Sequence, residues 1–339
     1  MSILIMILGL AVLMVVHELG HHLVARAFKL RVVRFSIGFG PPLWKYQPKG
    51  SDTVYQVALI PFLAYVQVAG MNPFEESDPD DKGSYANASL TARILTIAGG
   101  PLANYGFAMA LFLGAFMAFG EPVLTTEVSV MPGTPAQSAQ MQDGDKVVGI
   151  NGTPIDGFEQ MRAIIIENPE KPLAFSIIRE GEPMELTITP EAKAERGGGQ
   201  IGVIPKRGYR AMTFEESLRE SVARPALVVK ELVVGLGQLI TREVEPEVAG
   251  PVKIVKFGAS MVESGGFDIL YFLAKLSAYL GGFNLLPVPA LDGGRLLFLG
   301  YEAVARRKPN AKMEAQIHAI GLLMFLALMA VVTVKDFQN

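Results

Sequence analysis

The chain has 339 residues, half of them apolar, with a formal net charge of −3 and a mean hydropathy of +0.34. That balance points to a membrane protein, and without a long Lys/Arg block there is no broad footprint for nucleic acid, so nucleic acid is not an expected partner. With no cysteine, disulfides, thiolate metal sites and cysteine nucleophiles are excluded, and any metal must be held by His, Asp or Glu.

Residues 1–30 read as a first transmembrane helix, because the apolar run Ile3 to Val24 has about the 20 residues needed to cross a bilayer. Ala25-Arg26-Ala27 mimics a signal-cleavage site, but no basic residue precedes the run, so it reads as a retained span. The run carries His17-Glu18-Leu19-Gly20-His21. Residues four apart share a helix face, so His17 and His21 can direct imidazoles at one Zn²⁺ while Glu18 reaches its water. Two imidazoles and a carboxylate near the end of an apolar span are costly unless paired or coordinated, which favours a metal site over two polar surface histidines. His22 lies about 100° around the helix from His21 and is given no ligand role.

Residues 31–92 are expected to form a cytoplasmic-side, membrane-associated β region and loop. Val32 to Phe39 and Tyr55 to Val68 are rich in β-branched and aromatic residues, and Gly40-Pro41-Pro42 and Pro48-Lys49-Gly50 supply turns. Strands dipping into the membrane interface and a small cytoplasmic sheet both fit. The acidic loop Glu75 to Asp81 reads as a solvated connection. Residues 93–121 hold the second span, Ile94 to Phe119.

Over residues 122–208 the composition changes, with strand-like stretches at Glu127 to Val130, Leu173 to Arg179 and Met184 to Thr189, and a short helix near Phe158 to Ile166. Gly133-Thr134-Pro135-Ala136, Asp143-Gly144-Asp145 and Ile150-Asn151-Gly152, in this order, resemble a PDZ domain. In the permuted bacterial form of that family, Ile201-Gly202-Val203 matches the strand and loop that receive an extended peptide by β-augmentation. A folded spacer without a ligand is the other reading. Residues 209–265 read as an amphipathic helical linker, opened by the capping box Thr213-Phe214-Glu215-Glu216 and continued by Phe214, Leu218, Val222, Val229, Val233, Leu236 and Ile240 near helical spacing. Pro225 should kink or divide this helix. Its apolar face would lie on the outer membrane surface or pack against the preceding domain.

Residues 266–305 hold a third span, Phe267 to Leu286, and then Asn284-Leu285-Leu286-Pro287-Val288-Pro289-Ala290-Leu291-Asp292-Gly293-Gly294. Prolines at membrane depth are tolerated where irregular backbone lines a protein-enclosed site. Hydrolytic zinc usually has three protein ligands and one open position. Asp292 is the only acid between Asp268 and Glu302 and is the natural third ligand. Read alone, it would be a helix cap. Residues 306–339 supply a loop and a fourth span, Ile317 to Val334. Basic residues after the first span (Arg26, Lys29, Arg31, Arg34, Lys45, Lys49) and between the last two (Arg306, Arg307, Lys308, Lys312) assign those short loops to the cytoplasm, leaving the PDZ-like domain and both termini outside.

Taken together, His17-Glu18-Leu19-Gly20-His21, Phe35-Ser36-Ile37-Gly38-Phe39-Gly40-Pro41, Gly99-Gly100-Pro101-Leu102-Ala103-Asn104, Gly250-Pro251-Val252, and Asn284 through Asp292-Gly293-Gly294 resemble the site-2 protease family of intramembrane metalloproteases, particularly its bacterial members with an outside-facing PDZ domain. The resemblance implies a polytopic α-helical inner-membrane protein of about four spans, with a membrane-associated β region and one inserted PDZ-like domain. It implies zinc held by His17, His21 and Asp292, Glu18 as catalytic base, and Asn284 as a residue that positions substrate or stabilises charge. Its substrates would be membrane proteins in the lipid bilayer, anti-sigma factors and signal-peptide remnants among them, cut in regulated intramembrane proteolysis. Two departures stand out: Leu63-Ala64-Tyr65-Val66 replaces a common Gly-Gly-Tyr-Val stretch, and the length leaves room for one PDZ domain where close members often carry two. The competing readings are a non-catalytic scaffold presenting a PDZ domain, and a metal transporter, whose ligands would line a through-pathway.

Overall fold

The computed structural model describes residues 1–72, 78–193, 198–241 and 249–338. Residues 75–77 of the acidic loop, 242–248 of the helical linker and the side chain of Ile240 lie outside the described residues. In chain order the first elements are α1 (Ser2–Ala27), β1 (Val32–Tyr46), β2 (Val54–Val68) and α2 (Leu90–Phe119). There follow β3 (Glu121–Val130), α3 (Pro135–Ser138), β4 (Lys146–Ile150), β5 (Thr153–Pro154), α4 (Phe158–Glu167), β6 (Leu173–Arg179), β7 (Glu182–Ile188), β8 (Glu191–Lys193), β9 (Gly198–Gln200) and β10 (Val203–Arg210). The last are α5 (Phe214–Thr241), α6 (Pro251–Ser264), α7 (Gly266–Asn284), α8 (Asp292–Ala305) and α9 (Ala311–Gln338). They divide into two compact units, Met1–Ala118 with Thr213–Asn339, and Phe119–Met212.

In the first unit, three helices among the described residues are long and apolar enough to cross a membrane: Ser2–Ala27, Leu90–Phe119 and Lys312–Gln338. The third expected span is the shorter α7, which has 19 residues and ends at Asn284. The chain then turns and restarts as α8 at Asp292, since Pro287 and Pro289 cannot continue the helical ladder. β1 and β2 form an antiparallel pair in which each strand doubles back. Phe35 faces both Val66 and Tyr55, and Tyr46 also faces Tyr55, so the rows run 42–46, 54–60, 32–39, 64–68. Row 64–68 is therefore an edge. Several large apolar side chains of this sheet are exposed, among them Leu43, Trp44, Leu59 and Ile60.

Polar contacts tie the helices of this unit together. Arg93 on α2 makes a two-pronged ion pair with Glu302 on α8, one arm being Nη1 to Oε2 at 2.9 Å. The carboxylate of Asp336, buried near the end of α9, accepts the N–H groups of Gly250, Val252 and Lys253 at 3.0–3.1 Å and so caps α6. α5 continues through Pro225 without being divided. It lies along α7, where Glu231 meets Lys275 at 3.6 Å and Arg224 reaches Tyr271 Oη at 3.4 Å, a partner its apolar spacing does not reveal.

The second unit is built on a six-stranded antiparallel sheet of order β10-β3-β4-β6-β7, with β5 paired to β4. Val128, Ile150, Met161, Phe175 and Ile177 form its buried core. β3 is longer than the expected Glu127 to Val130 because its first half pairs with β10, down to Glu121 opposite Arg210. Asp145 is wholly buried and takes two hydrogen bonds from Arg179, at 2.8 and 2.7 Å, and one from Gln142 N at 2.9 Å. Burial pushes its carboxyl upward, but the Arg179 guanidinium and the backbone donor outweigh that and hold it below the ordinary aspartate value. The pair is therefore a stabilising feature at neutral pH that weakens as pH falls through the depressed value.

Candidate metal centre

α1 offers its His17/His21 face to α2 at very short range. A Cβ on Gly99 would lie 2.8 Å from Gly20 O, so two glycines permit the helix crossing. At the same level a Cβ on Gly100 would lie 2.9 Å from His17 Cε1 and 2.6 Å from His21 Cε1. The missing side chain is the space the imidazoles occupy. From the other side α8 begins with Asp292, preceded by Ala290 in a left-handed conformation (φ 76°) whose N–H donates to His318 Nδ1 of α9 at 3.0 Å. This turn brings the carboxylate back onto α1.

The result is a triangle of three donor atoms. His17 Nε2 and His21 Nε2 are 3.3 Å apart, and they lie 3.1 and 3.3 Å from Asp292 Oδ2. His21 Nδ1 donates to Thr96 O at 2.8 Å, so in the neutral imidazole Nε2 bears a lone pair. The His21 approach to Asp292 is then lone pair to lone pair, not a hydrogen bond, and Asp292 Oδ2 is buried without a donor. One cation satisfies all three atoms. For zinc bonds of about 2.0–2.2 Å in tetrahedral geometry, ligand atoms stand roughly 3.3 Å apart, which is the spacing of this triangle. The residues fit zinc.

Glu18, half-buried, accepts a 3.0 Å hydrogen bond at Oε2 from Val66 N on the edge row of β2. That contact fixes one carboxylate oxygen and leaves the other available. His22 faces away from the triangle, its Nε2 3.3 Å from Tyr55 Oη and its ring edge-on to Phe35. Asn284 is the last residue of α7, and its Nδ2 donates back along its own helix to Leu280 O at 2.9 Å. Of the five residues read from the sequence, His17, His21 and Asp292 come together, while Glu18 and Asn284 have partners of their own. Sequence reasoning passed over Thr96, Gly100 and His318, which hold or accommodate the triangle. Only Gly100 left a trace, as part of a singled-out motif without an assigned role.

Gly100→Ala should place a methyl group against both imidazoles and displace them. The zinc content of the purified protein should drop, because the donor atoms are pushed out of the spacing that suits the ion. Full zinc content in this variant would mean that α2 does not pack on the histidines as described.

A family model described as Peptidase family M50 matches residues 5–328. A protein of Synechocystis sp. with a provisional zinc-metalloprotease name is 36% identical over 343 residues, covering 97% of this chain and 93% of the relative. A similarly named protein of Nostoc sp. is 33% identical over 354 residues, covering 99% and 96%. Zinc metalloprotease RasP of Geobacillus kaustophilus is 30% identical over 419 residues, covering 100% and 98%. A crystal structure of the PDZ domain of the SdrC-like protein of Listeria innocua aligns with 27% of this chain at 17% identity and a TM-score of 0.22, too weak a likeness to carry an assignment.

Proposed function

This chain belongs to peptidase family M50 and is a zinc metalloprotease of membrane proteins, and on that premise we propose that His17, His21 and Asp292 hold its zinc while Glu18 moves the proton. The observation that carries the assignment is the triangle of Nε2, Nε2 and Oδ2, drawn from opposite ends of the chain to a spacing that suits zinc. Zinc held by these three residues would supply a Lewis acid that lowers the pKa of a water and polarises the scissile carbonyl. Glu18 takes a proton from the attacking water and returns it to the leaving amine, so that one peptide bond and one water become a carboxylate and an amine. Asn284, at the end of α7, is assigned to holding the substrate backbone near the site.

The depth of the site supports cleavage inside the bilayer. His17 and His21 lie within the helix Ser2–Ala27, which is long and apolar enough to cross a hydrocarbon core about 30 Å thick. We read α7 as the third of four spans, the short basic loops as cytoplasmic, and the second unit as facing outside in a cell inner membrane. The exposed apolar residues of the hairpin support its immersion in the interface.

A transmembrane helix hides its carbonyls in hydrogen bonds and must open before attack. Row 64–68 suits an opened segment: Val66 directs its N–H to Glu18 and not to row 32–39, so by alternation along the strand the N–H of Ala64, two residues earlier, faces the same outer side and is left for a substrate. Beside this edge lies a cavity of about 640 Å³ lined by Tyr65 to Val68 and by Arg295, Phe298 and Glu302 of α8. Consecutive strand residues lining one cavity mean that it meets the strand's edge, the geometry of β-augmentation. Ala64→Pro removes one outward N–H while sparing the internal pairing. It should slow cleavage of a helical substrate several-fold with zinc content unchanged, and unchanged cleavage would remove edge pairing from the mechanism.

The second unit carries no residue of the triangle, and we assign it to substrate selection, as a filter against bulky outside domains. Anti-sigma factors and signal-peptide remnants, trimmed of such domains, fit that selection. Deleting residues 119–212 should leave cleavage of a short, pre-trimmed substrate intact and permit cleavage of an untrimmed one. Loss of both activities in a zinc-loaded deletion variant would make the unit part of the catalytic scaffold.

A further inference from the structure

Both histidines of the triangle reach back to α2 through Nδ1, but to different kinds of group. His21 Nδ1 has a backbone carbonyl, Thr96 O. His17 Nδ1 has a side chain: Nδ2 of Asn104 lies 3.1 Å from it, and Asn104 is fully buried with its Oδ1 meeting no hydrogen-bond donor. An imidazole whose Nε2 lone pair faces a cation carries its proton on Nδ1, so the group opposite Nδ1 must accept a hydrogen bond. Amide oxygen and nitrogen exchange places by a half-turn, and their assignment follows from the hydrogen bonds they make. That half-turn sets Oδ1 on the His17 Nδ1–H and gives the orphaned acceptor its donor.

We propose that Asn104 is a positioning residue of the zinc site: its side-chain oxygen accepts the Nδ1–H of His17, fixing the tautomer and ring angle that turn the Nε2 lone pair toward the metal. The proposal rests on His17 being a ligand. Asn104 is well held for this task, because its backbone carbonyl accepts Ser277 Oγ of α7 at 2.9 Å and the residue is shut off from solvent. No water can replace the amide oxygen if it is lost. Three residues earlier in the same motif, Pro101 leaves α2 unbroken, so Thr96 and Asn104 sit on one continuous helix and address the two imidazoles together.

The test is zinc affinity of the full-length protein in detergent, measured by competition with a chromophoric chelator, for wild type, Asn104→Leu, Asn104→Asp and His17→Ala. Asn104→Leu keeps the volume and loses the acceptor, and should weaken zinc about 10–100-fold, the usual effect of removing a partner behind a metal-bound histidine. Asn104→Asp keeps an acceptor at the same place and should stay within a few-fold of wild type. Selective ¹⁵N-histidine spectra of the metal-free protein should show His17 protonated at Nδ1 in wild type and Asn104→Asp, and that preference lost in Asn104→Leu. Wild-type affinity in Asn104→Leu would overturn the proposal, as would an Asp variant that is folded by its melting curve yet as weak as Leu. His17→Ala separates the two levels: wild-type affinity there would remove His17 from the site itself, whereas loss in His17→Ala with no loss in Asn104→Leu would remove Asn104 alone.

Discussion

Glu18→Gln should abolish most peptide cleavage while leaving zinc in place. The amide has the shape of the carboxylate and its oxygen can still accept the 3.0 Å hydrogen bond from Val66 N, so α1 and the edge row keep their contact. What disappears is a group able to take a proton from water and return it to the leaving amine. General acid–base groups contribute about 10²–10⁴-fold, and the rate on a single-span substrate in vesicles should fall by that order. Zinc content by mass spectrometry should stay at the wild-type level, because the triangle of His17, His21 and Asp292 is untouched. Cleavage within a few-fold of wild type would remove Glu18 from the chemistry.

Asp292→Ala should fail differently, losing metal as well as activity. The substitution removes one of three donor atoms and the negative charge at the triangle, so zinc binding should weaken by more than the 10–100-fold typical of changes one layer further out. The loss cannot be ascribed to unfolding of α8. An acid in the first turn of a helix contributes about 0.3–1 kcal/mol, a small part of the stability of a chain this size. Adding zinc to high concentration should restore part of the activity. Full zinc occupancy and full activity without supplementation would mean that another acid completes the site.

How much of this was legible in the sequence depended on the range of the interaction. The pairing of His17 with His21 is local, four residues on one helix, and could be read from spacing. The return of Asp292 to the same point spans most of the chain, and was readable because a proline-interrupted stretch at membrane depth needs a reason and Asp292 is its only acid. In the second unit the second half of β3, β6 and β7 were legible from alternation and turn residues, whereas β10 and the first half of β3 pair with each other about 80 residues apart and leave no local mark. The contacts that orient the site were not legible. Thr96 acts through a backbone carbonyl, which has no sequence signature, and Gly100 acts by an absent side chain. Asp336 reads as an unremarked acid near the end of the chain until its carboxylate is seen on the N–H groups of Gly250, Val252 and Lys253. The doubling-back of β1 and β2, which makes row 64–68 an edge, also depends on register and not on composition.

The position of the cut tests the central claim most directly. A single-span substrate, reconstituted with the full-length protein in lipid vesicles, would be digested and its products weighed by mass spectrometry to locate the new ends. With zinc held by His17, His21 and Asp292 inside the hydrocarbon region, the new carboxyl and amino ends should fall within the apolar segment of the substrate, and a zinc chelator should prevent their appearance. New ends found only in the water-exposed flanks, or cleavage that persists without zinc, would contradict the assignment of this site as an intramembrane zinc protease.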